Sequence, residues 1–244
     1  MLKALVESAR ETIQSGYYRH TEDLRRAPSL ARAIDESPHD PAIIAEIKPA
    51  SPTKGKMVPG GFDALMKRFV AEGACGLSVL TEPTHFNGSL ANLKLAVATR
   101  APTLMKDFVL DEIQIDCAAT YGASAVLLIA SILPKSRVQA LIEYAHIAER
   151  EVLLECADRA ELEMALASEA DMVGLNNRDL RNFHVDLNRT LEAAKGLEFD
   201  RPFVSLSGYE TRAQVQRVQG VADACLVGAS LMEGRISVAQ LVQP

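Results

Sequence analysis

Eight short apolar runs recur along this chain, each followed by a longer amphipathic or polar stretch, and that alternation limits the fold more than any other feature. The runs lie at 43–48, 76–81, 103–106, 125–129, 152–155, 172–176, 203–207 and 224–227. They are too short to be helices and read as strands of a buried parallel sheet. Between them, spacing and polarity predict helices over 62–72, 112–121, 135–149, 159–167, 186–195 and 211–219, several opened by Asp, Ser, Thr or Pro in cap positions. Eight strands alternating with helices in 244 residues predict an α/β fold, a (β/α)8 barrel, whose usual size is ~250 residues. An open doubly wound sheet would need fewer strands or a second domain, and no linker rich in Pro, Gly or Ser divides the chain. Residues 1–40 differ from the rest: Leu2, Leu5, Val6, Ala9 and Ile13 follow helical spacing, and Leu24, Leu30 and Ile34 suggest further short helical pieces. They are expected to form an N-terminal helical extension ahead of a barrel domain over 41–244.

In such a barrel, chemistry sits at the C-terminal ends of the strands. The first run ends AEIK, the third LMK, the fifth LLE, the sixth VGLNNRD, the seventh SLSG and the eighth LVG. Glu46, Lys48, Lys106, Glu155 and Asn176 are therefore expected to converge on one mouth. A single Lys or Glu at a strand end is commonly a rim charge in a salt bridge. Five polar groups at the same end of different strands are not explained that way, because an unpaired charge there costs several kcal/mol even after relaxation. Each must meet another charge or a ligand. Phe86 and Phe108 could equally be core residues, although both follow strand ends, where a flat apolar ligand would lie. Asn177, Arg178 and Asp179 lie on the sixth loop, where an Arg-Asp pair could simply close a turn, and His85 reads as a loop residue. Glycines in the seventh and eighth loops, with a short helix starting near Ala229, would let backbone N–H groups approach an anion, and these loops are the usual phosphate site of the architecture. Ser207, Gly208, Gly228 and Ala229 are the candidate phosphate contacts.

Composition narrows the ligand class. A net charge of −6 offers no global attraction for nucleic acid or an anionic membrane, so an anionic ligand must meet a local basic cluster. The longest apolar run falls far short of the ~20 residues of a membrane span, and the N-terminus has no signal-peptide stretch. A soluble, cytoplasmic protein is expected. Cys75, Cys117, Cys156 and Cys225 are scattered and the five histidines form no ligand pair, so the thiols are read as packing groups and no metal site is expected.

AEIKPASPTKG, LTEPTHFNGS, LMKDF, LLE, GLNNRDL, SGY and LVGASLM, in this order and spacing from Ile43 to Met232, resemble the signatures of indole-3-glycerol-phosphate synthase, an enzyme family of tryptophan biosynthesis. The resemblance implies ring closure of 1-(2-carboxyphenylamino)-1-deoxyribulose 5-phosphate with loss of carbon dioxide and water and no cofactor. It implies Lys106 as general acid, with Glu155, Glu46 and Lys48 supplying a second acid and a base in an order left open, and Lys48 within reach of the phosphate. Asn176 and Arg178 are implied to bind the substrate's hydroxyls and carboxylate, with Ser51 and Leu180 beside them. The extension is implied to pack over the barrel mouth. The expected partner is a sugar-phosphate substrate; the expected state is a monomer, open to association with other enzymes of tryptophan biosynthesis. Two residues depart from the family pattern. Leu206 stands where a glutamate usually precedes Ser-Gly, and Pro49 stands where the family often has a basic residue. A relative that keeps phosphate binding without the chemistry, and a different sugar-phosphate barrel using Lys106 as a Schiff-base nucleophile, stay open beside the synthase.

Overall fold

The computed structural model describes residues 2–21, 25–51, 55–56, 61–179, 182 and 184–242, with the side chains of 51, 55 and 56 outside the description. Eight parallel strands close on themselves: β1 (Ala42–Ile47), β2 (Gly76–Leu80), β3 (Thr103–Lys106), β4 (Ala125–Ile129), β5 (Glu151–Cys156), β6 (Met172–Asn176), β7 (Phe203–Leu206) and β8 (Ala224–Val227). Each pairs with its sequence neighbours, and β1 closes the ring by pairing with β8, Ala42 opposite Ala224 and Ala45 opposite Val227. The expected runs match these strands to within a residue at either end.

Strand periodicity sorts the side chains. Ile44, Leu104, Leu127, Leu153, Met172, Val204, Leu206 and Leu226 fill the interior in one buried cluster, while Ile43, Leu77, Met105, Val126, Leu154, Val173 and Cys225 point outward against the helices. Both faces are covered, which is why the strands read as continuous apolar runs rather than alternating ones. Each fully buried Leu or Ile contributes ~1.5–3 kcal/mol of transfer free energy. The four cysteines are free thiols, three of them buried.

The helices are α1 (Leu2–Gln14), α2 (Leu30–Asp35), α3 (Phe62–Ala71), α4 (Leu90–Ala98), α5 (Glu112–Tyr121), α6 (Lys135–Ile147), α7 (Arg159–Leu166), α8 (Asn188–Ala194), α9 (Arg212–Gln216), α10 (Ala229–Met232) and α11 (Val238–Val242). Local chemistry sets several starts. Asp111 and Thr211 make capping boxes with Gln114 and Gln214, and Ser89 and Asp158 cap α4 and α7. No described helix is long and apolar enough to cross a membrane.

The two N-terminal helices go to opposite ends of the barrel, which corrects the expectation that the extension lies over the mouth alone. Leu5 and Ala9 of α1 are buried in the interior cluster that also holds Phe86 and Phe108. Leu2 lines a cavity of about 550 Å³ together with Ser131, Ala157 and Asp179, which follow β4, β5 and β6. Helix α2 instead seals the bottom. A methyl group on Gly76, the first residue of β2, would stand 2.6 Å from Leu30 Cδ1. The carboxylate of Glu151, which opens β5, accepts from the Leu30 amide at 2.7 Å, the Ala31 amide at 3.3 Å and the Ser29 hydroxyl.

Candidate active site

Lys106, Glu155 and Asn176 stand at or beside the C-terminal ends of β3, β5 and β6, and parity turns all three into the mouth. Lys106 Nζ lies 3.5 Å from Glu155 Oε2, and Asn176 Nδ2 donates to Glu155 Oε1 at 2.8 Å. Glu155 is only 2 % exposed. Both of its oxygens are engaged, as a buried carboxylate requires. For Lys106, burial by itself would push the ammonium down; the charges of Glu155 and Glu46 and the hydrogen bond to Glu155 outweigh it, so the pKa sits above the usual lysine value. The sequence-predicted trio is thus assembled, with the lysine held charged.

Glu46 and Lys48 form a second pair at 3.8 Å. Their environments pull the lysine the other way. Burial lowers the Lys48 pKa, the charge of Glu46 only partly offsets it, and Lys106 and Arg178 repel it further. Burial thus works against the charge on Lys48, whereas at Lys106 the carboxylates outweigh it. Its ammonium sits 5.1 Å from the Phe86 ring centroid, a contact worth ~0.5–2 kcal/mol. Phe86 and Phe108 in turn face each other at 6.1 Å, an apolar wall beside the charges. The Ala50 amide, just past the buried Pro49, donates to Phe86 O at 3.0 Å and ties the first loop to the second.

The proposed phosphate loops adjoin this cluster. Glu46 leans on Gly228: a β-carbon there would stand 2.5 Å from Glu46 Oε1, so any larger residue would make the carboxylate shift. Gly228 precedes α10, whose first amides have no acceptor within the helix. Past β7, Ser207 holds a left-handed φ of 72° and Gly208 one of 95°. For a serine this conformation costs free energy that the surroundings must supply. They do so through a buried polar network. Asn177 Nδ2 donates to Ser205 Oγ at 3.0 Å and Ser207 O at 3.2 Å, the Thr190 hydroxyl donates to Asn177 Oδ1 at 2.8 Å, and the Tyr209 hydroxyl donates to Ser205 Oγ at 2.6 Å. Ser230 Oγ, in α10, donates to Tyr209 O at 2.8 Å and joins the two loops.

Among the remaining expected contacts, the Arg178 amide donates to Asn176 Oδ1 at 2.9 Å. Its guanidinium is pushed below the usual value by burial, with the charge of Glu46 acting against the shift. Ser51 lies in a two-residue ladder with Gly55, its side chain outside the description, and Leu180 lies outside the described residues. Leu206 is fully buried, and a β-carbon on Gly174 would stand 2.6 Å from its Cδ1. His85 is a loop residue as expected, its amide donating to Glu82 Oε2 at 2.7 Å. Sequence reasoning passed over Glu82, whose carboxylate also accepts from the Thr84 and Phe86 amides at 2.9 and 3.0 Å and so shapes the loop that presents Phe86. It also passed over Asp107 and took Asn177 only as a loop residue. The available signal was a polar residue directly beside a site residue, facing the other side of the wall.

A family model described as indole-3-glycerol phosphate synthase matches residues 2–242. A protein of that name from Methanocaldococcus jannaschii is 39% identical over 213 residues, 86% of this chain and 80% of that protein. Another of the same name from Staphylococcus saprophyticus is 36% identical over 241 residues, covering 96% and 92%. Among solved structures, a tryptophan synthase from M. tuberculosis aligns with a TM-score of 0.65 at 14% identity, covering 88% of this chain and 98% of that one. A likeness at that identity speaks for the barrel alone. Together with motifs in order from end to end, the family match and the two relatives settle the affiliation: the chain belongs to the indole-3-glycerol phosphate synthase family.

Proposed function

We propose that this protein closes the indole ring of 1-(2-carboxyphenylamino)-1-deoxyribulose 5-phosphate, releasing carbon dioxide and water to give indole-3-glycerol phosphate. The observation that carries the reading is the Lys106–Glu155–Asn176 cluster, in which a lysine kept charged by buried carboxylates faces the mouth of a barrel of this family.

Ring closure needs a proton for the substrate carbonyl oxygen while the aromatic ring carbon attacks the carbonyl carbon. Lys106 is suited to donate it, since its ammonium persists at neutral pH and a general acid of this kind contributes ~10²–10⁴-fold. The same charge argues against Lys106 as a Schiff-base nucleophile, which has to be neutral to attack. Loss of water then requires a second acid and a base, drawn from Glu155, Glu46 and Lys48. Lys48, destabilised as a cation, gains most from an arriving anion, and its pairing with Glu46 beside Gly228 supports a role for it in holding the phosphate. Lys48, Lys106 and Arg178 gather positive charge at this mouth, although the whole chain carries −6, and a substrate bearing a phosphate and a carboxylate suits it. The Phe86–Phe108 wall suits its aromatic ring. Asn176 and Arg178 suit its hydroxyls and carboxylate, with Leu180 two positions past Arg178 and Ser51 three past Lys48, and the backbone at Ser207, Gly208, Gly228 and Ala229 suits its phosphate.

The test is the appearance of indole fluorescence when purified protein meets the carboxyphenylamino substrate. A flat trace from folded protein would end this reading.

A further inference from the structure

The strand that ends in Lys106 carries, on its other face, a buried acid with no part in the steps above. Lys106 turns into the barrel, so Asp107 turns outward, where it is 3 % exposed. Its Oδ2 accepts from the Tyr18 hydroxyl at 2.9 Å and the Thr81 hydroxyl at 2.5 Å, and its Oδ1 from the Phe108 amide at 2.8 Å. Tyr17 closes the same knot: its hydroxyl donates to Thr81 O at 3.1 Å and accepts from the Leu90 amide at 3.2 Å. The two tyrosine rings meet edge-on at 5.1 Å. One carboxyl group therefore gathers the segment that follows α1, the end of β2 and the backbone just after itself.

We infer that Asp107 is a positioning residue for the reaction: by binding Tyr18 and Thr81 beside the proton-donating lysine, it sets where Lys106 and Phe108 stand relative to Glu155 and holds α1 over the mouth. The inference rests on the role proposed for Lys106. Its geometric basis is the count of donors. Three donors converge on one carboxylate, which accepts at both oxygens; an asparagine would keep one accepting oxygen and turn an NH₂ group toward another donor. The charged and titratable groups around it are Lys106 on its own strand, Glu82 beyond β2, Tyr17 and Tyr18 from the N-terminal segment, and Cys117 from α5. Burial pushes Asp107 up to about 6 despite its three donors, so at neutral pH it is an anion that supports the Lys106 ammonium.

The experiment compares full-length wild type, Asp107→Asn, Tyr18→Phe and the double variant. It reads kcat and KM, the thermal midpoint, and the Lys106 pKa from NMR of reductively ¹³C-methylated protein, the resonance being assigned with Lys106→Arg. Each single variant is expected to lose about tenfold or more in kcat with a smaller change in KM, as a slight misplacement of a catalytic group does. The double variant should be no worse than the poorer single, and the Lys106 pKa should fall in Asp107→Asn but not in Tyr18→Phe. A lowered midpoint with kcat and Lys106 titration unchanged would make Asp107 a folding residue only and overturn the inference. Should Asp107→Asn not fold, Tyr18→Phe and Thr81→Val each remove one donor, and normal kcat in both overturns it equally. If wild type forms no indole, the reading of the reaction falls, while the Lys106 titration still decides whether Asp107 governs the lysine.

Discussion

The carboxylates that make the buried Lys106 ammonium tolerable also suit it to the proton transfer proposed for it. Lys106→Met is expected to lower kcat by at least ~10²-fold with an unchanged far-UV circular dichroism spectrum, because Asn176 still holds Glu155. Near-normal turnover would remove Lys106 from the mechanism, as would a borohydride-reducible adduct with the substrate. Gly228 tests the link between the pairs. Gly228→Ala places a methyl group against Glu46 Oε1, so Glu46 must swing away and loosen Lys48; kcat/KM should fall while the thermal midpoint moves little. Leu206 is the opposite case, a site position given over to packing. It lies opposite Asn176 in the β6–β7 register, buried against Gly174. Leu206→Glu puts a carboxyl in that apolar layer at a cost of ~2 kcal/mol, or roughly 4–8 °C of thermal midpoint at this chain length. An unchanged midpoint would mean that the layer is wetter than its burial suggests.

Elements explain what was legible in the sequence. The strands were, because burial on both faces leaves runs of Ile, Val and Leu that nothing else in a soluble chain produces at that length. Glu46, Lys106, Glu155 and Asn176 stood out because each breaks such a run at one end and in one parity. Asp107, Asn177 and Glu82 did not, since a polar residue just outside a strand looks the same whether it faces water or a buried donor. Helix α4 was missed for a related reason: Leu95, 37 % exposed on its outer side, blurs the apolar stripe that marks a helix. The pattern in 1–40 showed that faces of two helices are buried, and helical spacing has no means of saying against which end of the barrel. Glu151 decides that for α2, taking its first amides and the Ser29 hydroxyl. Glu151→Ala leaves those donors unmet and should cost ~1–3 kcal/mol with kcat nearly unchanged, because the bottom of the barrel is far from the chemistry. A fall in kcat as large as the fall in stability would show the two ends to be coupled.

For the molecule as a whole, one buried acid gives stability an unusual pH dependence. Asp107 is raised from 3.8 to about 6, first by burial and against the pull of its three donors. A raised carboxyl binds its proton more tightly when folded, so its contribution to stability is fully present below about 4 and is lost as pH climbs through 6. Two pKa units correspond to ~3 kcal/mol, an upper figure for the loss across that window. Surface pairs act in the reverse sense. Glu112, held below its usual value by the hydrogen bonds of Arg137, favours the fold above its unfolded pKa and gives this up as the pH falls, but the pair is a third exposed and worth at most ~1 kcal/mol. Subtraction isolates the buried acid: thermal midpoints of wild type and Asp107→Asn, measured from pH 4 to 7.5, should converge or cross as pH rises, with wild type losing ground between pH 4 and 6.5. Direct titration of the Asp107 carboxyl carbon by NMR should give a midpoint near 6 in the same interval. Parallel melting curves together with a midpoint below 4.5 would show that the donors from Tyr18, Thr81 and Phe108 outweigh desolvation, and the knot beneath Lys106 would then hold an ordinary carboxylate.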